Sequence, residues 1–185
     1  MKVYIDTGVF IDYLSSQAVA GSGLRSVDRR GRNPQKLFED AENVLKMVAS
    51  SHTGATSSLT YYEIEEALFK QLTSVVTGMA NASTIRVIMA RSIVPQTMTA
   101  VRFFSIDVLD LTATTVKAQL SISNVELSVR GIRAADALHV ASAINFDAEV
   151  LISADKDVLK LDGVIVNKSG VPIKFCDTDV ALTIL

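Results

Sequence analysis

The sequence predicts a three-layer α/β sandwich with a mainly parallel central sheet, and two observations predict it. Short runs rich in β-branched and aromatic residues, such as KVYI at 2–5 and VLIS at 150–153, alternate with longer stretches whose apolar residues recur at helical spacing. Strands separated by helices pair in parallel, and the intervening helices cover the two faces of the sheet. The 185 residues contain neither an internal repeat nor a linker, so a single domain spanning 1–185 is expected, long enough to bury a substantial core.

Residues 2–5 read as a buried strand ending at Asp6. A helix follows from about Thr7 to Leu14, with Val9, Phe10, Tyr13 and Leu14 on its apolar face. The next residues, 15–33, are rich in Ser, Gly and Arg and read as a loop. Pro34 suits the first turn of a second helix, in which Leu37, Ala41, Val44, Leu45 and Val48 recur at helical spacing. Gly54 and Ala55 begin a short strand, and a helix runs from about Leu59 to Leu72. Between Thr73 and Phe104 no charge occurs before Arg86. Ile85, Ile88, Met89 and Val94 predict a helix from near Ser83, which Pro95 should kink or end. Further on, the pattern predicts a strand over 105–109, a helix over 112–129 and a break at Gly131. A helix over 134–146 and strands at 150–153 and 164–166 follow. The tail IKFCDTDVALTIL is expected to add a strand or to dock as a cap.

Composition removes several classes of protein. Hydrophobic residues make up 49% and the mean hydropathy is positive, which argues against disorder. There is no uncharged apolar run of about 18 residues, as a membrane span requires, and no secretory-signal pattern opens the chain. The lone Cys176 has no internal partner for a disulfide, so a cytoplasmic, reducing compartment is expected. A net charge of −2 does not advertise polyanion binding. The basic stretch RSVDRRGRNPQK, in a loop placed at 15–36, has two readings: a solvated surface loop, or an arm contacting phosphates.

Four acids carry the chemistry. Asp6 follows the first strand, Glu63 and Asp136 stand near the starts of helices, and Asp155 follows the strand EVLIS. In an open parallel sheet these positions all lie at the carboxyl edge, where active sites gather. Each has an ordinary explanation. Asp6 caps a helix; Glu63 completes a capping box with Thr60; Asp136 suits a helix dipole; Asp155 opens a turn. A cap is nonetheless compatible with a ligand, and four converging carboxylates repel strongly unless a divalent ion neutralises them. Asp157 is a fifth candidate, and Thr7 offers a hydroxyl to the site. His139, one turn after Asp136, either faces the site or is hydrogen-bonded within a helix interface, the latter being the expectation, and His52 lies in a polar loop. With no zinc-type His or Cys spacing, the all-oxygen set suits Mg²⁺ or Mn²⁺. Phosphate-loop, dinucleotide and serine-elbow motifs are absent.

These segments, IDTGVFIDYL, SSLTYYEIEEAL and AADALHVASAINFDAEVLISADKDVLKL, resemble the PIN-domain family, in particular VapC-like toxins of toxin–antitoxin systems. The resemblance covers most of the chain. It maps the family's acids onto Asp6, Glu63, Asp136 and Asp155, its accessory acid onto Asp157 and its small hydroxyl residue onto Thr7. Gly8 stands where the family often has Asn, Ala154 replaces a commonly polar residue, and the chain is longer around 15–36 and in the tail. The resemblance implies a metal-dependent endoribonuclease, with a cognate antitoxin and a homodimer as expected partners. RNA would then be held by Arg133 and by Arg29, Arg30 and Arg32 of the basic loop. Two rivals stand beside it. A phosphorylated-aspartate enzyme wants a second acid where Gly8 stands, which disfavours it. A non-catalytic RNA- or protein-binding module would use the same acids only as caps.

Overall fold

The computed structural model describes residues 1–16, 23, 24, 26–121 and 131–185. Its centre is a five-stranded, wholly parallel sheet. The strands are β1 (Lys2–Ile5), β2 (Thr53–Ser57), β3 (Asp107–Leu109), β4 (Val150–Ile152) and β5 (Lys174–Cys176), in the order β3-β2-β1-β4-β5. The helices are α1 (Thr7–Ser16), α2 (Pro34–Ser51), α3 (Leu59–Val75), α4 (Ala82–Arg91), α5 (Ile93–Phe103), α6 (Ala113–Ser121), α7 (Ala134–Phe146), α8 (Lys156–Leu159) and α9 (Thr178–Ile184). None of the described helices is long and apolar enough to cross a membrane.

Alternation along β1 divides the interior. Val3 and Ile5 enter a core with Phe10, Val44, Leu45, Ile64 and Leu68, supplied by α1, α2 and α3. Tyr4 points to the other face, where it packs with Val140 of α7, Leu151 and Phe175. Around β1 both faces of the sheet are therefore dry, which is why that strand reads as a continuous apolar run. Gly54 is required in β2 because a Cβ there would lie 2.6 Å from both Ile106 and Val48.

Local chemistry sets the element ends. Asn33 caps α2 by accepting from the Lys36 amide at 2.9 Å, with Pro34 at the first helical position. Pro95 does not kink one long helix. The chain breaks at Ser92, and Pro95 falls in the first turn of α5, where a missing N–H costs nothing. Asp147, in the left-handed region at φ 67°, ends α7 and turns the chain into β4.

One expectation changes. The segment 164–166 is not a strand of the sheet. The Asn167 carboxamide oxygen accepts from the Ser169 and Val171 amides, folding the chain back so that Val166 makes only a single bridge, to Pro172. The fifth strand comes instead from the tail, which supplies both β5 and α9. The helix expected over 112–129 is seen as α6, and the remainder, 122–130, lies outside the described residues.

A candidate metal centre at the carboxyl edge

The strand order places β1 between β2 and β4, so the connections depart in opposite directions on either side of it. A crevice opens there at the carboxyl ends of the strands. Asp6, directly after β1, is 6% exposed, and its amide donates to the Ile152 carbonyl at 3.0 Å. Its carboxylate is held on both sides. Oδ1 accepts from the Thr7 amide at 2.8 Å, and Oδ2 accepts from the Ser153 hydroxyl at 2.5 Å. Ser153 in turn accepts from the Asp155 amide at 3.0 Å, so one hydroxyl joins the loops after β1 and β4. Asp155 caps α8, its Oδ1 accepting from the Asp157 amide at 2.7 Å.

Asp136 lies in the first turn of α7, where the helix dipole favours an anion. Arg133 reaches over it: Nε donates to Asp136 Oδ2 at 3.1 Å and Nη2 to Asp155 Oδ2 at 3.2 Å. The Arg133 side chain is 76% exposed, so solvent screens this bridge. Glu63 makes no capping box with Thr60. Thr60 turns inward to Thr56 at 2.8 Å, and Glu63 Oε2 is engaged by the Thr7 hydroxyl and by His139 Nε2, the latter at 2.8 Å. On the other side of the ring, His139 Nδ1 pairs with the Tyr4 hydroxyl at 2.8 Å.

The charges are balanced unevenly. Burial alone would raise the Glu63 carboxyl, but His139 and Thr7 outweigh it and hold the group below its usual value. Burial likewise opposes a charged His139, yet Asp6 and Glu63 prevail and raise its pKa. For Asp136 burial wins. Arg133 offsets part of it, Asp155 and Asp6 add their repulsion, and the carboxyl is raised. Asp136 is thus a buried carboxylate whose charge Arg133 only partly compensates.

That imbalance fits a hard dication. Ligand atoms of Asp6, Glu63 and His139 lie within 4.8 Å of one another. Both His139 nitrogens already have partners, so the carboxylates are the available donors, a set suited to Mg²⁺ or Mn²⁺. Among the described residues Glu63 Oε1 makes no hydrogen bond and is left for the cavity.

Asp6, Thr7, Glu63, Arg133, Asp136 and Asp155 all line one cavity of about 610 Å³, and Arg29 reaches its rim. Asp157, Arg30 and Arg32 do not line it. Asp157 pairs with Lys160 at 2.5 Å. Arg30 and Gly31, both at positive φ, make the tight turn of a small hairpin in which Arg29 and Arg32 pair as neighbours. Arg29 is bound to Asp12 at 2.6 Å and Asp177 at 2.8 Å, and Arg32 to Asp40 at 2.9 Å and Asp177 at 2.5 Å. Arg30 pairs with Asp179 at 3.3 Å.

One residue at the site, Ser153, escaped the sequence reading, and another, His139, was given the lesser of its two readings. His139 was visible as a residue one turn from Asp136, but its bond to Glu63 spans 76 positions. Ser153 gave no sign beyond ending a strand. Gly8 and Ala154, the two departures from the family pattern, meet in space: a Cβ on Gly8 would lie 2.5 Å from Ala154 Cβ.

No protein-family model matches this sequence, and no curated protein matches it significantly. Among solved structures, the crystal structure of VapBC2 from Rickettsia felis bound to a DNA fragment from their promoter is similar to this chain. The TM-score is 0.49 and the identity 14%, over 95% of this chain and 98% of that one.

Proposed function

We propose that the protein is a divalent-metal-dependent endoribonuclease of the PIN-domain, VapC-like kind, using Mg²⁺ or Mn²⁺. The observation that carries this reading is the convergence of Asp6, Glu63, Asp136 and Asp155 on one crevice at the carboxyl edge of the sheet. Asp6, Asp136 and Asp155 would hold the cation. Once bound, it supplies charge neutralisation at the scissile phosphate and makes water a stronger nucleophile near neutral pH.

The remaining work belongs to the chain. Ser153 and the Thr7 amide fix the Asp6 carboxylate, so little reorganisation accompanies charge development. Thr7 and His139 hold Glu63 by Oε2, leaving Oε1 to orient water and take a proton from it. Arg133, exposed and beside two acids, exchanges its carboxylate partners for a phosphate of the RNA. A cognate antitoxin, a homodimer and a cytoplasmic site of action belong to the same proposal.

Cleavage of single-stranded RNA by the purified protein tests it. Activity should require Mg²⁺ or Mn²⁺ and vanish with chelator, and Asp6→Asn and Asp136→Asn should both lose it while keeping the fold by circular dichroism. Full activity in both variants would refute the assignment.

A further inference from the structure

The cavity that the acids line is also lined by Ile11 of α1, by Val27, and by Tyr62, Glu66, Ala67 and Lys70 of α3. Ala67 and Lys70 stand about one and two turns beyond Glu63, so this part of the lining runs along α3 away from that acid. Tyr62 is 64% exposed, and among the described residues its hydroxyl makes no hydrogen bond and its ring no aromatic contact. It directly precedes Glu63 on α3, so an aromatic face and a site carboxylate leave the same turn of one helix. Lys70, 71% exposed, is paired with Glu66 at 3.3 Å, a surface contact easily exchanged. It follows Glu63 by roughly 10 Å along the helix, at 1.5 Å per residue.

We propose that the part of the cavity lined by Ile11, Ala67 and Tyr62 is a nucleobase subsite, in which Tyr62 stacks on an unpaired base next to the phosphate at the acids. The inference rests on the nuclease reading and deepens it. A phosphodiester seated at Asp6 and Asp136 carries a base on each side, and the lining by Ile11, Ala67 and Tyr62 offers one of them an apolar seat. An aromatic ring accepts any base by its π-face, and a base can reach it only when unstacked, as in single strands and loops. Lys70 meets a neighbouring phosphate of the same strand, the charge an RNA backbone presents. A cavity of about 610 Å³ has room for a nucleotide-sized group.

The test uses the full chain and a short fluorescein-labelled single-stranded oligoribonucleotide. Binding is read by anisotropy in calcium, and cleavage in Mn²⁺ is followed alongside. Tyr62→Ala should weaken binding about 5- to 100-fold, as loss of one base–aromatic stack does, and Tyr62→Phe should restore it. Ile88→Ala, an exposed apolar residue elsewhere, should change nothing. A series of oligonucleotides abasic at successive positions should show one position that matters for the parent protein and ceases to matter in Tyr62→Ala. If RNA is bound and cleaved equally by parent and Tyr62→Ala, the subsite is overturned and the nuclease reading stands. If the parent neither binds nor cleaves RNA, both fall.

Discussion

Gly8 and Ala154 hold together the two loops that carry Asp6 and Asp155. With no side chain at position 8, the start of α1 can rest against Ala154; any Cβ there forces the loops apart. Gly8→Ala should therefore destabilise the protein by about 1–3 kcal/mol, the usual cost of overpacking. Removing the opposing methyl should return much of that, so denaturant unfolding of Gly8→Ala, Ala154→Gly and the double variant should be clearly non-additive. Additive losses would mean that the two residues do not press on each other. In the sequence this pair looked like two separate departures from a family pattern. Contact between residues 146 positions apart is a product of the fold, and the same distance hid the Ser153 bond to Asp6. What was legible at this scale was the acids themselves, because strand ends and helix starts can be placed from local pattern alone.

Among the elements, the basic hairpin and α9 explain each other. A run of arginines in a Gly- and Ser-rich stretch suggested an arm for phosphates, and composition cannot reveal that Asp12, Asp40 and Asp177 lie opposite. Asp177 caps α9 through the Thr178 amide at 2.7 Å while receiving both Arg29 and Arg32. Burial pushes its carboxyl up, but Arg29, the Thr178 amide and Arg32 together outweigh that and leave it below the ordinary value. A depressed folded-state pKa contributes stability that is complete above the unfolded value of about 3.9 and is lost as pH falls through the lower, folded value. Asp177→Asn should accordingly flatten the acid limb of the stability curve. It should also cost about 3–5 kcal/mol at neutral pH, as breaking a buried pair does, nearer the lower figure because Asp12 and Asp40 still serve the arginines. Urea titrations from neutral pH down to the acid limb check both, and an unchanged acid limb would show that Asp177 is not the group responsible.

For the molecule as a whole, periodicity was enough to predict helices on both faces of a parallel sheet, because buried parallel strands and amphipathic helices each leave a local pattern. It did not give the strand order. That order puts β1 at the switch point and so turns scattered acids into neighbours, and it depends on which strands pair rather than on any one of them. Everything proposed for this protein descends from that juxtaposition: carboxylates from the ends of β1 and β4 and the start of α7 would hold a divalent cation, with Glu63 of α3 beside them. Calorimetric titration of the chelator-treated protein with Mn²⁺ tests it most directly. The account predicts saturable binding that is lost in Asp6→Asn and Asp136→Asn. Heat of the same size in the parent and both variants, or none in any, would contradict it.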